Sequence, residues 1–244
     1  MKPVKWAAVA ATLTLSGLAA CGERPVAKSQ HDPASDGWTQ PPDITAAQLA
    51  GATLIIEGRA EPGARVVLRN DGDAAYAASA DGTGRFQIRI VAGSAPLLLR
   101  PETQEGQDAA ASPSRLLIVD GGKGPIAVLR PGAPARRLGA SPPLAAVDSD
   151  GRMALASGVT AAPVTVSADG QTDEAMPDPG GRWSLLLESS TARDIRVGQR
   201  TFSWPGAGQP AADDAAQAVR AGQGWMVTWS SGTGTRQSTW LPDV

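Results

Sequence analysis

The chain has 244 residues, 42% hydrophobic but only 4% aromatic, with 28 Gly, 20 Pro and a formal net charge of −2 at pH 7. A single His and a single Cys exclude an intrachain disulfide and any metal centre built from several histidines or cysteines. Lys2, Lys5, Lys28 and Lys123 are the only lysines, which excludes the dense basic footprint of a nucleic-acid binder.

In chain order, Lys2 and Lys5 give a positive start, and residues 7–18 form an apolar run too short to span a bilayer. The run ends in Leu18-Ala19-Ala20-Cys21. This arrangement resembles the lipobox of bacterial lipoproteins. The other reading is an ordinary secretory signal with an incidental Cys. The resemblance implies cleavage between Ala20 and Cys21, so that 1–20 is a signal peptide and Cys21 becomes a lipidated N-terminus. Several acyl chains, palmitate among them, would hold the protein without a spanning helix, at about 0.8 kcal/mol per buried CH₂. Gly22, not Asp, follows Cys21, which by the same resemblance implies the outer membrane, facing the periplasm, rather than the inner one.

Residues 21–50 are predicted to form the lipidated Cys and a flexible tether. Pro25, Pro33, Pro41 and Pro42 are spread through it, and its few apolar residues cannot offset the entropy of ordering. A short helical turn is allowed at 45–50. His31 lies here and reads as a solvated linker residue.

Residues 54–90 read as four short strands. Phe86, Ile88 and Ile90 alternate with Arg85, Gln87 and Arg89, the period of two of a half-buried antiparallel strand. Val66 and Leu68 face away from Arg65 and Arg69 in the same manner. Pro62-Gly63 predicts a type II turn; Asp71-Gly72 and Asp81-Gly82 are hairpin signals. Gly58, Ala60, Pro62, Gly63, Ala64, Val66 and Leu68, followed by Ala80, Asp81, Gly84 and Phe86, resemble the bacterial immunoglobulin-like repeats of surface and periplasmic proteins. That resemblance implies a β-sandwich used as a spacer or adhesion module, and it carries no catalytic residues.

Further strands are predicted at 97–100, 116–119 and 126–130, completing a first immunoglobulin-like unit over 51–138. Residues 104–114 read as a mobile polar connection. Gly121-Gly122-Lys123-Gly124 reads as a hairpin loop, because a phosphate loop needs other spacing and a following helix. Residues 130–143, rich in Pro, Gly and Arg, read as a crossing, with 139–145 as linker.

A second, divergent sandwich is predicted over 146–244. Gly158, Val164, Val166, Gly181, Arg182 and Trp183 align with Gly58, Val66, Leu68, Gly84, Arg85 and Phe86. Phe86 and Trp183 are therefore expected at equivalent core positions. Strands are predicted at 195–197, 201–204, 225–230 and 236–241, with 213–221 readable as helix or hairpin strand. Residues 225–240 are read as a closing hairpin turning at 231–234, with Trp229 opposite Arg236 and Trp225 opposite Trp240.

The fold class expected is thus all-β, two consecutive immunoglobulin-like sandwiches. No catalytic set assembles: the single His is in the tether, and no G-x-S-x-G or S-x-x-K occurs. Asp148-Ser149-Asp150-Gly151 resembles the start of a calcium loop but lacks its later ligands, so a capping turn before Met153 is the reading taken. No cofactor and no metal are expected, and the chain reads as non-enzymatic. Trp183, Trp204, Trp225, Trp229 and Trp240 all fall in the second unit. They read as core, with Trp225, Trp229 and Trp240 as a candidate ligand platform for stacking on sugars. The function expected is a membrane-anchored structural or protein-interaction module whose partner is another envelope protein; the alternatives are a peptidoglycan or glycan binder and, third, an enzyme of unknown class.

Overall fold

The computed structural model describes residues 39–244 apart from Asp71, Asp73, Ala92, Gln107, 209–215 and 231–235. The chain is all-β: every strand pairing there is antiparallel, and the one helical element among the described residues is a 3-10 turn at Asp120–Gly122. The 3-10 turn joins two antiparallel strands, as expected of the glycine-rich loop. The tether's Pro25, Pro33 and His31 lie outside the described residues.

Ten strands build the first sandwich: β1 (Asp43–Ala50), β2 (Thr53–Arg59), β3 (Arg65–Arg69), β4 (Ala75–Ser79), β5 (Arg85–Val91), β6 (Leu97–Glu105), β7 (Asp108–Ala111), β8 (Arg115–Ile118), β9 (Ile126–Arg130) and β10 (Ala133–Leu138). One sheet runs β1-β2-β5; the other runs β10-β9-β8-β6-β3-β4, with β7 paired to β6. Between them Leu54, Ile56, Val66, Leu68, Phe86, Ile88, Ile90, Leu116 and Ile118 are buried. The alternation read in β5 is therefore the inward face.

The Pro62-Gly63 turn forms as expected. The Ala64 amide donates to the Glu61 carbonyl at 3.1 Å, with Gly63 at φ +80°. Asp81-Gly82 does not make a hairpin. β4 pairs with β3 and β5 with β2, so this turn carries the chain from one sheet to the other. Asp71, half of the other hairpin signal, lies outside the described residues.

Three segments depart from the sequence reading. The tether stops short of 50, because Asp43–Ala50 is the edge strand β1 and no helical turn forms at 45–50. Its register against β2 shifts between Ile44 and Ala46. That bulge turns Thr45 and Ala46 outward in succession, so buried Ile44 and Ala47 stand three apart and mimic helical spacing. Residues 104–114 are not a loose connection: β7 folds back on β6. Residues 133–138 are strand β10, paired with β9, not part of a crossing.

Ten more strands build the second sandwich: β11 (Ala146–Ser149), β12 (Ala154–Val159), β13 (Val164–Ala168), β14 (Gln171–Ala175), β15 (Arg182–Leu187), β16 (Arg193–Val197), β17 (Arg200–Trp204), β18 (Gln217–Arg220), β19 (Gly224–Ser230) and β20 (Arg236–Pro242). Its sheets run β15-β12-β11-β20-β19-β18 and β14-β13-β16-β17. Trp183, Trp204 and Trp240 fill the core with Val166, Ile195, Phe202 and small residues such as Ala154 and Ala156. The ambiguous 213–221 segment resolves as strand over Gln217–Arg220.

The two sandwiches share a third core. β8 and β9 bury both faces: Leu116, Ile118, Ile126 and Val128 point into the first core, while Leu117, Val119, Ala127 and Leu129 point out of it. The outward set packs against Ala146, Val227, Trp229 and Leu241 of the second sandwich. This is why β8 and β9 read as continuous apolar runs and not as alternating strands. Leu144 and Ala145, in the expected linker, are themselves buried, Leu144 in the second core.

Candidate functional site

Cys21 and Ala20, the expected anchor and cleavage residues, lie outside the described residues. The tryptophan platform does not form. Trp229 and Trp240 are 3% and 0% exposed. They stand on opposite faces of one sheet, Trp240 in the second core and Trp229 in the shared one. Trp225 is half-buried beneath Arg220, whose guanidinium carbon is 5.1 Å from the ring centroid. The register also differs by one residue. Trp229 lies opposite Gln237, Trp225 opposite Leu241, and Met226 opposite Trp240. Ser230 pairs with Arg236, so the connection is 231–235, longer than the turn read at 231–234, and it lies outside the described residues.

At Asp148–Gly151 the capping turn is present. Asp150 Oδ1 accepts from the amides of Arg152 (2.9 Å) and Met153 (3.0 Å). These bonds hold the Asp150 carboxyl below its ordinary pKa. No group of three His, Cys, Asp or Glu that could hold a metal occurs among the described residues. Asp148 instead ties the sandwiches together. Its carboxylate accepts from the Ala135 amide of β10 at 2.7 Å and from the Thr239 hydroxyl of β20 at 2.6 Å. The carboxylate is enclosed, although the residue as a whole keeps a little surface. Burial raises its pKa to about 6, against the lowering effect of the two hydrogen bonds. Elsewhere on β10, Arg137 donates to the Pro242 carbonyl at 2.6 Å, and burial lowers its pKa to about 10.

A hollow of about 1170 Å³ opens where the two sandwiches meet, and a smaller one of about 420 Å³ adjoins it. Both are lined by Arg130, Arg136 and Arg182, with Asp178. Arg130 closes β9 and donates to the Pro134 carbonyl at 3.0 and 3.2 Å. Arg136 sits opposite Val128 after a register shift in β10. From there it reaches the Ile44 carbonyl and, at 3.3 Å, Asp43 of β1. Burial lowers the Arg136 pKa; Asp43 opposes this, and the neighbouring Arg182 and Arg130 reinforce it.

Arg182 is placed by a turn that occurs twice. Asp178 Oδ1 accepts from the amides of Gly180 and Arg182, and the Gly181 amide donates to the Asp178 carbonyl. In the first sandwich Asp81 Oδ1 accepts from Thr83 and Arg85, and the Gly84 amide donates to the Asp81 carbonyl. Gly84 and Gly181 share φ +76°, a left-handed conformation that suits glycine. The arginines were individually visible in the sequence, but Arg130 and Arg182 stand in different halves of it. Only the packing of the halves brings them together.

No protein-family model matches the chain, and no curated protein matches it. Among solved structures it is similar to a Ca²⁺-stabilized adhesin with which an Antarctic bacterium binds ice: 12% identity, TM-score 0.24, covering 84% of this chain and 48% of that one. It is also similar to a 1.5-MDa bacterial ice-binding adhesin described for its retention at the host cell surface. There the values are 12% identity and TM-score 0.25, covering 84% of this chain and 64% of that one. The chain thus matches about half to two-thirds of the length of these neighbours. Such TM-scores are too low to pass any residue role from those proteins to this one.

Proposed function

We propose that this protein is an envelope lipoprotein, anchored through Cys21 on the periplasmic side of the outer membrane. Its body is a non-catalytic interaction module of two immunoglobulin-like units. One observation carries the anchor: Leu18-Ala19-Ala20-Cys21 follows a positive start and a short apolar run, and Cys21 is the only Cys in the chain. The module reading is supported by two all-β sandwiches locked through a shared core. Two sandwiches joined through a shared core suit a surface that meets a partner.

The test is Cys21→Ser. The variant is expected to lose lipidation and processing at this site, and to move from the membrane to the soluble fraction on fractionation and detergent phase partition. Full processing with unchanged membrane association overturns the reading.

A further inference from the structure

We propose that the hollow between the two sandwiches binds an acidic oligosaccharide, its carboxylate or phosphate oxygens held by Arg130, Arg136 and Arg182. Guanidinium groups match the geometry of such oxyanions and stay charged at any physiological pH. Here three converge from β9, β10 and β15, two from one sandwich and one from the other, in a chain whose net charge is −2.

The nearby acids are already engaged. Asp43 pairs with Arg136, Asp178 accepts two backbone amides of its own turn, and Glu57 accepts from Gln87 at 3.2 Å. Arg130 and Arg182 form no ion pair among the described residues. Arg182 and Arg130 each repel the Arg136 charge, against the larger attraction of Asp43.

The size and lining favour a sugar chain over a simple anion. A volume of about 1170 Å³ exceeds what a single phosphate fills. Thr45, Gln48 and Ser184 offer groups for sugar hydroxyls, and exposed Val159 and Met176 offer apolar contact for ring faces. This site is independent of the anchor: nothing in it involves Cys21.

The experiment is calorimetric titration of the full chain with trigalacturonate, with maltotriose and tripolyphosphate as comparison ligands. Trigalacturonate is expected to bind saturably and to weaken as NaCl is raised, and maltotriose is expected not to bind. Arg182→Gln is expected to weaken trigalacturonate binding about tenfold. Arg182 is exposed, so its loss leaves both cores intact, which a melting curve checks. Arg196→Gln removes an exposed arginine of β16 that lines neither hollow, and is expected to leave binding unchanged. Absence of saturable trigalacturonate binding overturns the proposal, as does an equal loss in Arg196→Gln. Tripolyphosphate binding as tight as trigalacturonate overturns the sugar assignment in favour of a simple anion.

Discussion

In the first sandwich β1, β2 and β5 make one sheet, and β4, β3, β6 and β8 run in order across the other. In the second, β11, β12 and β15 repeat the first arrangement, and β14, β13, β16 and β17 the second. After that point the chains diverge. β9 and β10 continue on the β8 side, whereas β18, β19 and β20 cross to join β11. The strands that differ supply much of the shared core, through β9 on one side and β19 and β20 on the other. One framework was thus kept for folding, and its variable ends were used for joining.

The cores differ within that framework. Gly58 faces Phe86 across β2 and β5, and Gly158 faces Trp183 across β12 and β15. Each glycine leaves room for the ring, since a Cβ would meet Phe86 Cε1 or Trp183 Cε2 at 2.7 Å. The second core sets large Trp against small Ala, where the first is filled by Ile, Leu and Val. Two divisions of volume reach close packing on one plan.

The equivalence breaks most sharply by truncation. Phe86→Ala and Trp183→Ala are expected to cost ~3–5 kcal/mol each, the Trp variant more. Denaturant unfolding measures this, and the shared core predicts a single transition in both variants. Separate transitions would mean that the sandwiches unfold independently.

Adding one carbon sharpens the comparison. Gly158→Ala is expected to cost about 3 kcal/mol or somewhat less, and Gly58→Ala less again. Each added Cβ collides with a backbone carbonyl, of Pro143 or Asp43, as well as with a ring. Urea midpoints of the two variants give the ranking.

The junction has its own pH dependence. The native Asp148 carboxyl titrates near pH 6 against 3.8 when unfolded. Between those values the native state binds more protons, so stability falls as pH rises from about 4 to about 6 and is level above. The loss is on the order of 2 kcal/mol, discounted for the surface that the residue retains. Comparing thermal unfolding of native and Asp148→Asn protein across that range isolates the slope, which the variant should lack.

The smallest effect is expected from Trp183→Phe, which makes the second pair like the first. The Trp183 indole N–H is buried without a partner among the described residues. Its removal offsets part of the lost volume, leaving a change under about 1.5 kcal/mol by chemical denaturation.

Much of this fold was legible locally. β3 and β5 followed from period-two patterning, and aligning the two units placed Phe86 and Trp183 at equivalent core positions. β1 was hidden because its bulge spaces Ile44 and Ala47 as a helix would. The tryptophans could be counted but not assigned to faces. Trp229 and Trp240 stand on opposite faces of their sheet, and the register between β19 and β20 differs by one residue from the one that turn chemistry suggested. The arginine hollow was beyond reach for a different reason. It exists only where the halves meet, and no pattern within either half encodes the meeting.

The place of β20 has a consequence for the order of assembly. It lies between β11 and β19, and its Thr239 reaches Asp148 across 91 residues of chain. The first sandwich pairs mostly near neighbours and can close early. β11 must wait, one edge unpaired, until β20 arrives to fill the gap. During that interval the outer faces of β8 and β9 stay wet, and a lone strand edge lies open to any similar strand nearby. The pairing of β20 with β11 is therefore what closes that exposed edge.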